Sequence, residues 1–390
     1  MKGLGFLRER RALKELDALN PSLRRLVFYS EGPGDWPHIG PVVETLLADH
    51  DVDVAYLSSD PADPGLALDH PRLRGFMIGD GTARTILFSR IDCDHFVMTL
   101  PDLDQLWLKR SAHPVHYVYL FHSMNSTHAA YRKAAFDAFD TVLCVGPHHV
   151  AEIRAAEERY GLPAKELVEH GSVKLDTVLS EIAHRPSLAP GADGALQVLV
   201  APSWGDCSLI ERPVGPELVD VLLAAGYRTV LRLHPMTVRR LPKLVDEIRR
   251  RFAGHPGFVL EEDMSAVDSW LRSDAMVSDW SGAALEYAFA LQRPVVYVDT
   301  PQKTVNGNWR DIDLRPFEDA VREEIGRVVS EPEIAAVPAA IAAALSDPDG
   351  TRERALRVRE RSVWNVGTSA RVAAGYLASL LGAGARAAAR

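Results

Sequence analysis

The chain has 390 residues, 47% of them hydrophobic, and carries a formal net charge of −9. That length allows two domains with separate cores, and the acidic balance argues against a nucleic-acid binder, which needs a basic surface to neutralise phosphates. No run approaches the roughly 20 apolar residues that cross a bilayer, and no signal-peptide core is visible.

The first segment, residues 1–25, is basic and amphipathic. Lys2, Arg8, Arg10, Arg11, Lys14, Arg24 and Arg25 stand against only Glu9, Glu15 and Asp17, and Leu4, Phe6, Leu7, Leu13, Leu16 and Leu19 supply apolar surface. Such a segment suits an anionic membrane face or a place on its own domain equally well. From Leu26 onward, short apolar runs alternate with helical patterns, which predicts an α/β chain with mainly parallel sheets. Residues 26–182 form the expected N-terminal, acceptor-side domain, with strands at 26–29, 52–57, 95–100, 116–121, 141–145 and 167–170. Its helices are expected at 40–49, 128–139 and 148–160. Residues 183–195 have the composition of a linker. A second α/β series, the nucleotide-donor domain at 196–350, is expected to hold strands 197–201, 229–233, 258–260, 275–277 and 295–298. Helices are predicted there at 215–225, 239–252, 265–271 and 317–329. Residues 351–390 read as an Ala/Arg-rich helical segment. Cys93, Cys144 and Cys207 are scattered, without a disulfide framework or zinc spacing, as expected of reduced thiols in a cytoplasmic protein.

Two successive α/β halves predict two Rossmann-like domains facing a central cleft, with ligands beyond the carboxyl ends of the strands. The residues that follow strands are polar or glycine-rich: His122-Ser123, Gly146-Pro147, Gly171-Ser172, Ser203-Trp204, His234-Pro235 and Ser278-Asp279. Ser281-Gly282 then opens a helix whose unpaired amides and dipole suit an anion. Gly282 lets a phosphate approach the backbone, and Glu286 is placed to reach ribose hydroxyls. An ordinary helix start with Ser281 as its cap has the same sequence. Arg232 and His234 alternate onto one side of their strand, where both can face a phosphate. His122 has the side chain best suited to take a proton from an attacking hydroxyl. His128 reads as a helix-start residue with at most a positioning role. Asp92-Cys93-Asp94 imitates a metal motif but reads as solvent-facing carboxylates, and His148-His149 lacks a third ligand at helical spacing, so no metal site is expected. The Gly32-Pro33-Gly34 turn lacks dinucleotide spacing and reads as an acceptor-side loop.

In order and spacing these residues resemble the CDP-glycerol glycerophosphotransferase family, the teichoic-acid primases and polymerases, which adopt the GT-B fold. The likeness runs from Val115 to Val298. It takes in the strand ending in His122, Ala135-Phe136-Asp137-Ala138-Phe139-Asp140 leading to Val145-Gly146-Pro147, and Gly171-Ser172-Val173-Lys174-Leu175-Asp176. It continues through Ala201-Pro202-Ser203-Trp204, Leu231-Arg232-Leu233-His234-Pro235 and Ser278-Asp279-Trp280-Ser281. The resemblance implies that His122 is the catalytic base and that His234 and Ser281 touch the donor pyrophosphate. Two positions depart from it. Ser123 stands where the family has glycine after the first histidine, and Gly205 stands where its Pro-Thr-Trp-Arg signature has arginine, leaving Arg212 as a substitute from the same loop.

The expectation is a GT-B transferase that moves a polyol phosphate from a CDP-linked donor to a hydroxyl of a cell-envelope glycan or lipid-linked precursor. It requires no cofactor and no metal, and it sits in the cytoplasm or against the inner membrane face. His122 and His234 are the expected catalytic pair. Arg232, Ser278, Asp279, Ser281, Gly282, Glu286, Ser203 and Trp204 form the donor side, surrounded by His128, Gly146, Gly171, Lys174, Asp176 and Arg212. The alternatives are another sugar-nucleotide enzyme of the same fold, glycosyltransferase or UDP-sugar 2-epimerase, and a non-catalytic nucleotide-binding scaffold.

Overall fold

Two all-parallel sheets organise the chain in a computed structural model that describes residues 2–105, 108–185, 194–262 and 267–388. The first contains β1 (Leu26–Ser30), β2 (Val54–Ser58), β3 (Leu73–Met77), β4 (His95–Met98), β5 (His116–Leu120), β6 (Thr141–Cys144) and β7 (Glu166–Glu169), in the order β3-β2-β1-β4-β5-β6-β7. The second contains β8 (Gln197–Val200), β9 (Arg228–Arg232), β10 (Phe258–Glu261), β11 (Ala275–Ser278), β12 (Val295–Asp299) and β13 (Arg327–Ser330), in the order β10-β9-β8-β11-β12-β13. Helices cover both faces of each sheet, so the central strands are apolar throughout; every residue of β1 and β8 is buried. Strand order reverses between β1 and β4 and again between β8 and β11, and loops leaving such a point diverge to open a crevice. This is the expected pair of Rossmann-like domains.

Several local expectations need correction. The predicted helix at 128–139 is one turn, Thr127–Ala130, after which the chain winds through turns with Ala134 at φ +66°. Ala135, Phe136 and Phe139 there are buried by tertiary packing, which overrides a helical pattern. The helix at 239–252 is two, Pro235–Arg240 and Pro242–Arg251, because Pro242 offers no N–H to continue the first. The helix begun at Phe317 stops at Ile325, and the chain turns through Gly326 into β13. Two edge strands, β3 and β13, carry charged or glycine residues and lacked an apolar run; the helix Val173–His184 was also unanticipated. Of the linker 183–195, residues 186–193 lie outside the described residues, as do 265 and 266 of the helix expected at 265–271; the observed helix is Asp268–Arg272.

The basic first segment forms the helix Lys2–Asp17, which packs over β3 and the helix Thr82–Arg90. Leu16 is fully buried, with Leu13 and Leu19 against the same core, so this part of the segment covers its own domain. The side chains of residues 1–8 lie outside the described residues. Among the described residues no helix is long and apolar enough to cross a membrane.

The carboxyl-terminal segment returns to the first domain. After the helix Pro348–Ser362 beside the second sheet, residues 363–368 cross over, and the helix Ser369–Ala388 packs on the helix Trp36–Asp49. Ala373, Ala374 and Leu377 are wholly buried there. Three residues expected around the donor serve this crossing instead. A Cβ on Gly146 would stand 1.7 Å from the Ser362 carbonyl, and one on Gly171, at φ +105°, would stand 2.3 Å from that of Trp364. Asp176 accepts the N–H groups of Gly367 (2.6 Å) and Ser369 (2.8 Å). Backbone meets backbone at Gly146, so no side-chain movement relieves the clash. Gly146→Ala is expected to destabilise the protein by about 3 kcal/mol or more, the upper range for overpacking, read as a lowered midpoint in urea unfolding.

Candidate functional site

The loop after β5 carries His122, and its backbone is fastened by buried side chains from both domains. His148 and His149 begin the helix Pro147–Tyr160; their Nε2 atoms lie 2.9 Å and 3.0 Å from the carbonyls of Met124 and Asn125. The Val145 N–H donates to His149 Nδ1, so the His149 proton is on Nε2, where it meets that carbonyl. Thr127 donates its N–H and its hydroxyl (2.7 Å) to Glu152. From the second domain Glu318 accepts the Ser126 N–H (2.8 Å), and the Leu314 carbonyl lies 3.0 Å from His128 Nε2. Val305 N–H and Asn306 Nδ2 donate to the carbonyls of Ala129 and His128, both at 2.9 Å. His128 is thus an interdomain tie. Burial disfavours its charge, yet Glu152 at 3.4 Å raises its pKa above the ordinary value.

Between the domains lies a cavity of about 210 Å³. His122, Ser123, Asn125 and Tyr131 line it from the first domain; Ser203, Trp204, His234, Trp280, Ser281, Gly282 and Lys303 line it from the second. These come from the ends of β5, β8, β9, β11 and β12, so the geometry unites His122, His234 and the Ser281-Gly282 turn. Ser281 caps the helix Gly282–Leu291, its hydroxyl accepting the Ala283 N–H (3.3 Å). The Gly282 amide keeps no acceptor among the described residues. A Cβ at Gly282 would stand 2.8 Å from Asn125 Oδ1, so a side chain here would fill the cavity where the two domains meet.

The two histidines are held differently. His234 caps its helix: Nδ1 accepts the Met236 N–H at 3.1 Å, which places the ring proton of the neutral imidazole on Nε2. Burial, aided by the positive charges of Lys303 and Lys174, lowers its pKa to about 4. It is therefore a neutral donor at ordinary pH. His122 Nδ1 lies 3.2 Å from the hydroxyl of Tyr119, a wholly buried residue of β5. Burial lowers the pKa of His122, and the Asp35 carboxylate opposes this. His38 packs edge-on against it, with ring centroids 5.9 Å apart.

Five expected donor residues lie elsewhere or are occupied. The Arg232 guanidinium is buried, bonded to Glu261 (2.6 Å) and Ser269 (2.6 Å); alternation gave its side of the strand but not its partners. Arg212 is held by both oxygens of Glu331, at 2.7 Å and 3.0 Å, and does not line the cavity. Ser278 donates to the Ala201 carbonyl, and Asp279 accepts Ser203 N–H and hydroxyl and Leu209 N–H, so both hold the loop after β8. The buried Glu286 carboxylate meets Lys174 at 2.6 Å across the domain boundary and does not line the cavity. Asp92 and Asp94 lie against Arg24 and Arg25. Among the described residues no cluster of three His, Cys, Asp or Glu side chains is placed to hold a metal.

Sequence reasoning missed Lys303, Asn125, Tyr131 and Tyr119. Lys303 follows β12 and obeys the rule that site residues follow strands. Tyr119 gave no signal, since a strand tyrosine reads as core.

Two facing Rossmann-like domains with a site between their carboxyl edges define the GT-B fold. Solved structures agree. The wall teichoic acid polymerase TagF superposes with a TM-score of 0.62 at 14% identity, over 100% of this chain and 96% of the other. A UDP-GlcNAc 2-epimerase from Neisseria meningitidis follows at 0.57 and 11%, over 90% and 98% of the two chains. A glycosyltransferase from Rickettsia africae ESF-5 gives 0.55 and 10%, over 92% and 99%. No protein-family model and no curated protein matches the sequence.

Two titrations test this electrostatic picture. The His234 imidazole resonances should stay flat in NMR from pH about 5.5 to 8, because its folded pKa lies below that window. Burial raises Glu318 from 4.5 to about 7, so between those values the folded state holds a proton the unfolded chain has released. Its contribution is complete below pH 4.5 and is lost as pH rises through 7. Glu318→Gln should remove that loss, gaining up to about 3 kcal/mol relative to wild type between acid and mildly alkaline urea melts.

Proposed function

We propose that this protein transfers a polyol phosphate, of the glycerol phosphate kind, from a CDP-linked donor to a hydroxyl on a cell-envelope glycan or its lipid-linked precursor. The observation that carries this reading is the shared cavity, with His122 on one wall and His234 beside the Ser281-Gly282 helix start on the other. The likeness of fold to a wall teichoic acid polymerase supports it. The first domain presents the acceptor and the second holds the donor.

In the proposed reaction, His122 keeps its proton on Nδ1 and donates it in a hydrogen bond to the Tyr119 oxygen, which leaves the lone pair on Nε2. Nε2 takes the proton of the acceptor hydroxyl as that oxygen attacks the donor's β-phosphorus. The new P–O bond forms, the bond from the β-phosphorus to the bridging oxygen breaks, and CMP leaves with its electron pair. His234 Nε2–H and the Gly282 amide donate to the oxygens that gain charge, in a site where such donors are fixed in advance. Lowered basicity suits His122 to this task, since it is unprotonated when substrate arrives. The donor is substrate, and the scheme needs no cofactor.

His122→Ala and His234→Ala should each cut CMP release by at least about 100-fold, with melting temperatures close to wild type. Near-normal turnover by either variant removes that residue from the mechanism. Calorimetric titration with CDP-glycerol and UDP-GlcNAc separates this reading from the sugar-nucleotide alternatives. Tighter binding of the uridine nucleotide overturns it.

A further inference from the structure

Every cation that the sequence offered for a phosphate is neutralised: Arg232 by Glu261, Arg212 by Glu331 and Lys174 by Glu286. A diphosphate held only by neutral donors would keep most of its charge uncompensated. Lys303 is the one lysine or arginine among the described residues that lines the cavity. It pairs with no carboxylate there. The nearby Asp279 has its oxygens taken by Ser203 and Leu209. The ammonium lies instead over the Trp204 indole, 4.5 Å from the ring centroid, and Arg240 approaches the same indole at 4.7 Å. A ring face returns about 0.5–1 kcal/mol to a cation, less than the cost of withdrawing an ammonium from water. Burial accordingly lowers the Lys303 pKa, against the pull of Asp279 and Glu211. A charge kept half-buried with no carboxylate in ion-pair contact, beside a helix start and a neutral histidine donor, is a place prepared for an anion.

The backbone fixes its position. Just before it, the Thr300 carbonyl accepts Trp280 Nε1–H at 2.9 Å. Just after it, Val305 N–H reaches the Ala129 carbonyl of the opposite domain at 2.9 Å, and Asn306 Nδ2 reaches His128. The segment is a strap between domains, tied at both ends, with Lys303 over the cleft.

We infer that Lys303 is the diphosphate anchor of this site, supplying a positive charge from the loop after β12. The assignment rests on the nucleotide-donor reading above and adds a residue to it. Trp204 acts as the platform that orients the ammonium while leaving its N–H groups free for phosphate oxygens.

The test uses the full chain in calorimetry with inorganic pyrophosphate and with CDP-glycerol. Lys303→Gln should weaken both by about 10- to 100-fold, the worth of a charge-assisted hydrogen bond. Lys303→Arg should restore most of the loss, which a merely packing role would not do. Cytidine, lacking phosphate, should show no difference among the three proteins. Equal binding of pyrophosphate by wild type and Lys303→Gln, or none by wild type, overturns the inference. Normal binding of CDP-glycerol by Lys303→Gln also overturns it while leaving the proposed function intact. Lys303-dependent binding of pyrophosphate without any binding of CDP-glycerol does the reverse.

Discussion

The arrangement depends on how the backbone at residues 124–129 is held. A loop that projects a histidine into a cleft exposes carbonyls and amides that helix and sheet bonding cannot satisfy, and burying them unpaired costs about 1–3 kcal/mol each. Here His148, His149 and Glu152 satisfy them from the first domain, while Glu318, Asn306 and the Val305 amide do so from the second. The network is fully built only when the domains meet. Position of His122 and closure of the cleft are therefore one structural fact, with Lys174–Glu286 as a further tie across the boundary.

The site also illustrates how differently two imidazoles can be tuned on one scaffold. His234 has its lone pair occupied by the amide of Met236, which leaves it as a donor. His122 is backed by a phenol that can accept or donate a hydrogen bond, so either ring tautomer is accommodated at Nδ1. The difference comes from local backbone geometry, a helix cap in one case and a strand end in the other. Burial disfavours the charged form of both rings.

Much of the architecture was legible because parallel strands buried on both faces write themselves as continuous apolar runs. The central strands were located within a few residues, whereas β3 and β13 at the edges, with Gly75 and Arg327 among their residues, left no such trace. In the cavity, residues whose placement follows from backbone position were readable: His122 and His234 at strand ends, Ser281 and Gly282 at a helix start. Charged side chains were not. Arg232, Arg212 and Glu286 were assigned to the donor by chemical type, but each is claimed by a partner far away in sequence, and only the folded chain reveals such claims. Lys303 left only its place after β12 as a signal, because in a sequence a lysine without an ion-pair partner looks the same as a solvated one.

The return of the carboxyl-terminal helix to the first sheet bears on how the molecule comes into being. A ribosome releases residues 26–182 long before residues 369–388 exist, so the nascent first domain waits with the flank of Trp36–Asp49 uncovered. Ala373, Ala374 and Leu377 complete that flank, and they are made only after the chain of the second domain. Folding of the first half is thereby tied to chain made after the second: its own stretch leaves the flank of Trp36–Asp49 open until residues 369–388 arrive.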